Sequence, residues 1–525
     1  MAGPINDILI VGGGTAGWMA AAYLARKLGA NRPDGVAITL IESSEIGIIG
    51  VGEGTIPTIQ TTMRTIGVDE ARFMRGANAA FKQGIKFVDW ATPPKNGVHD
   101  YYYHSFTRPH EMGGLDLAPY WMLGLAGDVR FSEAVTLQDA VCEAGRGPKL
   151  IDDPQYSSPL GYAYHFDAGK LAGLLKEVGK ELGVQHLVGN VEQVSLDETG
   201  AIASVTTREH GILTAGLYID CTGFAAALIE KALGSRWIDD SDTLFVDRAL
   251  ALQVPYERPD TPIATTTIST AHEAGWTWDI ALPDRRGTGY VYSRSHTDDA
   301  RAEEVLRGYI GPAAEGLNPR LLKLRIGHRE APWVRNCVAI GLSGGFLEPL
   351  ESTGIMLIEA AVWMVGRLFP RGGDMENTAK LFNHAMAERY RGAADFIKLH
   401  YCISRRTDND FWIDNCRRES IPDNLAALLE MWRERAPDPF DFPTVHDSFE
   451  SFNYQYILYG MGYPTNVKAN RAAYPYAERA AREFQRIRET SRRAAAGMPD
   501  HRALLSEVHQ HGFRPPGGAR GAVHA

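Results

Sequence analysis

Nine residues at 346–354, FLEPLESTG, concentrate groups that could do chemistry: Glu348, Glu351, Ser352 and Thr353, closed by Gly354. They join an apolar stretch at 337–341 that reads as a strand to an apolar stretch at 355–368 that reads as a helix. A carboxylate buried there without partners is costly, so packing alone does not account for two of them. Ser and Thr can cap the helix, and the free N–H groups of its first turn make an anion site. An ionisable acid and a small anion would then be neighbours. The ordinary alternative for Glu351 is a helix-terminal charge.

Positioning these groups requires a framework, and the N-terminus supplies one. Asp7, Ile8, Leu9, Ile10 and Val11 read as a short strand that runs into Gly12-Gly13-Gly14-Thr15-Ala16-Gly17 and then an apolar helix. This is GxGxxG between strand and helix. Gly12 permits the turn, Gly14 lets backbone approach a pyrophosphate, and Gly17 lets helix pack on strand. A second strand at 37–41 ends in Glu42, placed to accept a ribose hydroxyl. Apolar strands at 217–221 and 337–341 continue the pattern of flavin monooxygenase-like folds, which favours FAD over NAD and makes the flavin domain discontinuous. The later cluster at 50–54, which contains Gly54, does not complete a second dinucleotide motif. Reduced flavin is therefore expected from another protein.

The chain has 525 residues and a net charge of −10, which argues against a nucleic-acid partner. The five cysteines, Cys142, Cys221, Cys337, Cys402 and Cys416, show no CxxC or metal spacing, as suits a reducing cytoplasm. No metal is expected. No basic and apolar leader opens the sequence, and no apolar run reaches membrane-spanning length, so no membrane association is expected.

Taken together, GGGTAGWMAA at 12–21, IGVGEGTIP at 49–57, AFKQGIKFVDW at 80–90, YHFDA at 164–168, GWTWDI at 275–280 and FLEPLESTGI at 346–355 resemble the flavin-dependent tryptophan halogenases. The resemblance spans residues 8–462. Phe346, Pro349, Ser352 and Gly354 fit FxxPxSxG, and Trp276, Trp278 and Ile280 fit the start of WxWxIP, with Ala281 in place of the proline. The resemblance implies that reduced FAD and oxygen oxidise chloride or bromide to hypohalous acid, which then halogenates an electron-rich aromatic. Lys82, which otherwise reads as a surface charge, would direct the oxidant by hydrogen bonding or as a haloamine; Phe81 and Ile85 beside it can hold its amine toward the neutral form that attacks an oxidant, and a carboxylate beside it can act as a general base. Glu351 would polarise the halogenating species or remove the ring proton. Ser352 would orient the lysine, and the Thr353 and Gly354 N–H groups would hold the halide. His104 and Phe106 would line the substrate pocket, while His165 would be structural. Gly12, Gly14, Thr15, Ala16, Gly17, Glu42, Gly54, Val191, Leu342 and Ile355 would contact FAD. A transient flavin reductase and a homodimer are further implications.

One region departs from the family. The aromatic, acidic insertion that clamps tryptophan looks shorter here, at 445–456, where Phe449, Phe452, Tyr454 and Tyr456 remain. The substrate is therefore expected to be indole-like, larger, or carrier-bound. The expected fold class is α/β: a discontinuous FAD-binding core over 1–370, with mixed sheets and strand-rich inserts at 100–160 and 235–330, then a mostly helical substrate-side region at 371–511 and a disordered tail at 512–525. The Arg-rich stretch at 479–493 reads as a solvated helix face. Two other functions stay open: a flavin-dependent aromatic hydroxylase, and a flavin-binding relative without catalysis. The first lacks the Gly-Asp pair its class uses after the third strand, and the second has no use for Lys82 and Glu351.

Overall fold

The computed structural model describes residues 3–47, 52–442 and 448–515. Of the sequence expectations, the start of the 49–57 motif, residues 445–447 of the shortened insertion and the tail from 516 lie outside these residues. The chain divides into two compact units. The first takes residues up to 78, 166–241 and 324–391; the second takes 79–165, 242–323 and everything from 392.

The first unit is α/β. Its six-stranded sheet runs Trp333–Val334, Cys337–Ala339, Leu217–Asp220, Asp7–Val11, Ala37–Glu42, Gln185–Val188. All neighbours are parallel except the first pair. The central strands are continuous apolar runs because the parallel sheet is covered on both faces. Helices Thr15–Leu28 and Thr353–Arg367 bury most of their side chains here. Leu9, Val11, Ile41 and Tyr218 form one core cluster against which Val191 packs. Two small antiparallel sheets complete the unit.

In the second unit a seven-stranded sheet runs Arg320–Lys323, Arg248–Pro255, Arg285–Tyr292, Gly275–Ala281, Thr267–His272, Gly84–Val88, Tyr101–Ser105. Only Thr267–His272 and Gly84–Val88 pair in parallel. The AFKQGIKF segment is strand. Ala80–Lys82 pairs antiparallel with 163–165, and Gly84, at φ +151°, redirects the chain into Gly84–Val88. Helices follow at Asp410–Asn415, Asp423–Trp432, Ser451–Gly460, Ala477–Gly497 and His501–His511.

Three boundaries differ from the sequence expectation. Residues 79–100 belong to the second unit because Gly84–Val88 pairs inside its sheet. Residues 371–391 belong to the first, although Glu376–Cys402 is one unbroken helix. The tail is anchored at its start, where the Arg514 N–H donates to the Ile151 carbonyl at 3.0 Å and Lys149 Nζ lies 4.5 Å from the Phe513 ring centre. Among the described residues no helix is long and apolar enough to cross a membrane, and no cluster of His, Cys, Asp and Glu could hold a metal ion.

Candidate active site

The first unit carries the glycine turn expected to receive a dinucleotide. Gly12 has φ +112°, and a Cβ there would stand 2.2 Å from the Cys221 carbonyl oxygen, so only glycine makes this turn. Gly14 is the N-cap of helix Thr15–Leu28. No side chain caps that end, no acid occupies its first turn, and a Cβ on Gly14 would meet nothing within 4 Å. An uncapped helix start behind open space suits a pyrophosphate. Thr15, Ala16 and Gly17 form the first turn above it. Glu42, at the end of Ala37–Glu42, is fixed in place: Lys176 Nζ at 2.9 Å and His186 Nε2 at 2.8 Å meet one oxygen, and Trp18 Nε1 donates to the other at 3.3 Å. The partners leave lone pairs for a hydroxyl. The residues present fit FAD on these grounds.

Of the other expected flavin contacts, Val191 begins strand Val191–Leu196, packed on the core cluster. Leu342 lies in the 3-10 turn Gly341–Ser343, and Ile355 is buried in the first turns of Thr353–Arg367. Gly54 closes the two-residue strand Glu53–Gly54. Burial, then the nearby Asp167 carboxylate, pushes Glu53 up to about 7.

Asp220 organises the next turn and was not singled out from sequence. Its carboxylate accepts from the Thr222 N–H and hydroxyl and from the Leu228 and Ile229 N–H groups. Its carbonyl accepts from the Ile340 N–H and the Ser343 hydroxyl. Arg329, also missed, is buried and donates to the Ser343 and Ser235 carbonyls at 3.0 Å and to Glu230. These two residues fix residues 341–344 and the following strand Gly345–Phe346. Phe346 packs edge-on against Phe224. A carboxylate closing an apolar strand was the visible signal for Asp220; nothing local marked Arg329.

The FLEPLESTG turn has an uncommon backbone. After Pro349, Glu351 (φ 62°) and Ser352 (φ 58°) both adopt the left-handed region, and Thr353 returns to the right-handed one. Two successive non-glycine residues there are costly, and such strain gathers at functional sites. The expected side-chain cap is absent: Ser352 is the N-cap of Thr353–Arg367 but its hydroxyl caps nothing, and the Thr353 hydroxyl donates to the Glu348 carbonyl at 3.2 Å. A left-handed residue followed by a right-handed one turns successive N–H groups toward one concavity, a small-anion nest. The Ser352 N–H is held by the Pro349 carbonyl. The Thr353 and Gly354 N–H groups belong to the helix's first turn, which has no intrahelical acceptor, and a Cβ on Gly354 would meet nothing within 4 Å. Glu348 and Glu351 are both buried. Further along the helix, buried Glu359 accepts from the Thr58 hydroxyl at 2.8 Å and from the Thr62 hydroxyl, and burial pushes it up to about 7.

The second unit holds Lys82, His104 and Phe106. Lys82 is fully buried in strand Ala80–Lys82, and its Nζ lies 5.2 Å from the Phe106 ring centre. His165 pairs with Ala80 on the same two-strand ladder, which puts it diagonal to Lys82 on one face. Burial, then the charges of Lys82 and His501, lowers its imidazole well below the usual range, so it is neutral. Its Nε2 meets the Thr267 hydroxyl at 2.8 Å. His104 is buried, 2.9 Å from Asn453 Oδ1, with Phe396 and Tyr456 against its ring. Trp276 and Trp278 are buried in Gly275–Ala281. Trp276 packs against Trp90, and the Trp278 indole lies over Gly289, where a Cβ would come within 2.2 Å of it. Ile280 is buried beside Ala281, which pairs with Arg286 in regular register despite replacing the family's proline. Of the insertion's aromatics, Phe449, Tyr454 and Tyr456 are buried, with Phe449 stacked on Phe396 at 3.9 Å.

Known proteins match the chain along nearly its whole length. A tryptophan halogenase family model matches residues 7–476. Tryptophan 6-halogenase SttH of Streptomyces toxytricini is 37% identical over 533 residues, covering 96% of this chain and 98% of that protein. Tryptophan 7-halogenase RebH of Lentzea aerocolonigenes is 35% identical over 541 residues, covering 97% and 100%. The crystal structure of a tryptophan halogenase from Shewanella frigidimarina superposes with a TM-score of 0.93 at 39% identity, covering 98% of this chain and 99% of that one. Similarity of this extent, over the whole described core and both motif-bearing turns, places the chain in the tryptophan halogenase family of flavin-dependent enzymes.

Proposed function

We propose that this enzyme halogenates an electron-rich, indole-type aromatic, with Lys82 and Glu351 as its catalytic residues. When bound, reduced FAD with oxygen supplies the two-electron oxidation that turns chloride or bromide into hypohalous acid. The helix start at Gly14 and the fixed Glu42 carboxylate hold the dinucleotide. The N–H groups of Thr353 and Gly354 hold the halide. Lys82 directs the electrophilic halogen, either by hydrogen-bonding hypohalous acid or, once its neutral amine has displaced hydroxide from the halogen, as a haloamine. The carbon–halogen bond forms as the oxygen–halogen bond breaks in the first case and the nitrogen–halogen bond in the second. The displaced hydroxide takes a proton from the Lys82 nitrogen and leaves as water, and Glu351 takes the ring proton. Ser352 orients the lysine, while His104 and Phe106 present the aromatic. Reduced flavin comes from a separate reductase, and the enzyme works as a cytoplasmic homodimer.

The observation that carries this reading is the turn at 349–354. Two consecutive left-handed residues place a buried carboxylate directly before two helix-start N–H groups with open space at Gly354. An aromatic hydroxylase has no use for a halide nest. The relatives' names support an indole ring; free tryptophan, indole and an indole-bearing peptide are the substrates to compare. The test is incubation with a flavin reductase, NADH, FAD and either halide, read by mass spectrometry. Halide-dependent halogenated product is expected. Hydroxylated product, or none that depends on halide, would overturn the reading. A strong preference for free tryptophan would overturn the expectation of a larger or more open site drawn from the short insertion.

A further inference from the structure

Behind Lys82 and Phe106 lies a buried polar clasp supplied by one short helix, Gln138–Glu143. Gln138 is fully buried. Its Oε1 accepts from the Thr107 N–H at 2.8 Å, and its Nε2 donates to the Gly161 carbonyl at 2.6 Å and to Gln83 Oε1 at 3.3 Å. Gln83, the neighbour of Lys82, is also fully buried. Its N–H donates to the Thr265 carbonyl, its Nε2 donates to the Arg146 carbonyl at 2.7 Å, and its carbonyl accepts from the Phe106 N–H at 3.1 Å. The Thr107 hydroxyl closes the ring by accepting from the Gly161 N–H at 2.8 Å.

Two further side chains of the helix extend the grip. Asp139 accepts from the Ser105 hydroxyl at 3.1 Å and the Ser132 hydroxyl at 2.6 Å, and Glu143 accepts from the Tyr103 hydroxyl at 2.6 Å and Lys86 Nζ at 2.7 Å. Side chains alternate along Tyr101–Ser105. Tyr103 and Ser105 are therefore the residues held by the helix, while His104 faces the other way. The clasp fixes the backbone on both sides of the lysine–phenylalanine contact.

We propose that the Gln138–Gln83 amide pair is a positioning device that sets which ring carbon is presented to Lys82, so that Gln138 determines regiochemistry from behind the substrate wall. Resting on the halogenase reading above, the inference extends it to residues remote from the chemistry. The oxygen and the nitrogen of each amide have a partner in the backbone or in the other amide, a network of the kind that specifies one arrangement. Removing it leaves buried partners unsatisfied and lets the Phe106 backbone move relative to Lys82. Angström-scale misplacement at a reacting centre is sufficient to change the outcome.

The test uses the full chain with reductase, NADH, FAD and bromide on an indole substrate, and measures the ratio of halogenated regioisomers. That ratio is independent of the fraction of enzyme that is folded, so loss of stability alone does not move it. Gln138→Met removes all three bonds in a similar volume. Thr107→Val removes only the hydroxyl bond and serves where the first variant does not fold. In Gln138→Met the major-to-minor ratio is expected to fall by about threefold or more, the weight of one net hydrogen bond, with kcat reduced more than KM and FAD affinity unchanged. Thr107→Val is expected to shift the ratio in the same direction by less. An unchanged ratio in a folded variant overturns the clasp and leaves the halogenase reading intact. A parent enzyme that gives no halogenated product overturns both.

Discussion

At the scale of single residues, the proposed chemistry concentrates in Lys82, Glu351 and Ser352. Lys82→Met keeps the buried volume and removes the amine. Its halogenation rate is expected to drop by about 10²–10⁴-fold, the range of a lost acid–base or nucleophilic group, with flavin affinity by fluorescence titration unchanged. Glu351→Gln is expected to lose rate on the same order while the protein still binds FAD. Ser352 makes a different prediction. At φ 58° it has a side chain where glycine is strain-free, so Ser352→Gly should stabilise the protein by roughly 1 kcal/mol in denaturant melts. If Ser352 orients the lysine, the same change should slow halogenation. At this scale the sequence was informative wherever a residue type is improbable for packing, as with FLEPLESTG. Ser352 shows the limit: Ser before an apolar helix reads as a cap, and only the backbone angles show that it is a left-handed turn residue instead. Gln138 and Arg329 gave no local signal, since a buried amide and a buried guanidinium take their meaning from partners such as Gln83, 55 residues away, and Ser235, 94 residues away.

Among the elements, helix Thr353–Arg367 carries a pH dependence. Glu359 is held up at about 7 by burial, despite two threonine hydroxyls that favour its charged form. A carboxyl raised in the folded state keeps its proton there, whereas the unfolded chain loses it near 4.5. Stability is thus fullest below the unfolded value and falls as pH rises through the window from 4.5 to about 7, by up to about 3 kcal/mol for this group. Glu53 acts in the same direction over the same window. Glu359→Gln should flatten that fall: its melting temperature should exceed the parent's at pH 8 and match or trail it near pH 5, read by calorimetry across pH. A parent profile that is level from pH 5 to 8 in both proteins would refute the assignment. The strands around these helices were legible because parallel, doubly covered strands are continuous apolar runs, and Asp7–Val11, Ala37–Glu42 and Leu217–Asp220 follow that rule. Short helices such as Gln138–Glu143 were not, since six residues show too little periodicity to separate helix from turn.

For the whole molecule, the division into two units predicts where a ligand is felt. Gly14 and Glu42, proposed to hold FAD, lie in the first unit, so saturating FAD should slow amide hydrogen exchange first in segments 3–47, 166–241 and 324–391. At a hundredfold excess over Kd its linkage stabilises the folded state by about 2.7 kcal/mol. Slowed exchange confined to 242–323 would contradict the cradle. The discontinuous flavin domain was foreseeable from returning apolar strands, but its borders were not, because Gly84–Val88 finds its partner at 267–270 and no composition change marks the join. That interleaving bears on synthesis. Strand Asp7–Val11 emerges from the ribosome about two hundred residues ahead of its neighbour Leu217–Asp220, which in turn waits for Cys337–Ala339. Neither unit can close before most of the nascent polypeptide exists, and apolar edges stand open meanwhile. Slow translation at low temperature, or co-expressed chaperones, should therefore raise the soluble yield of this protein more than any change to its finished surface.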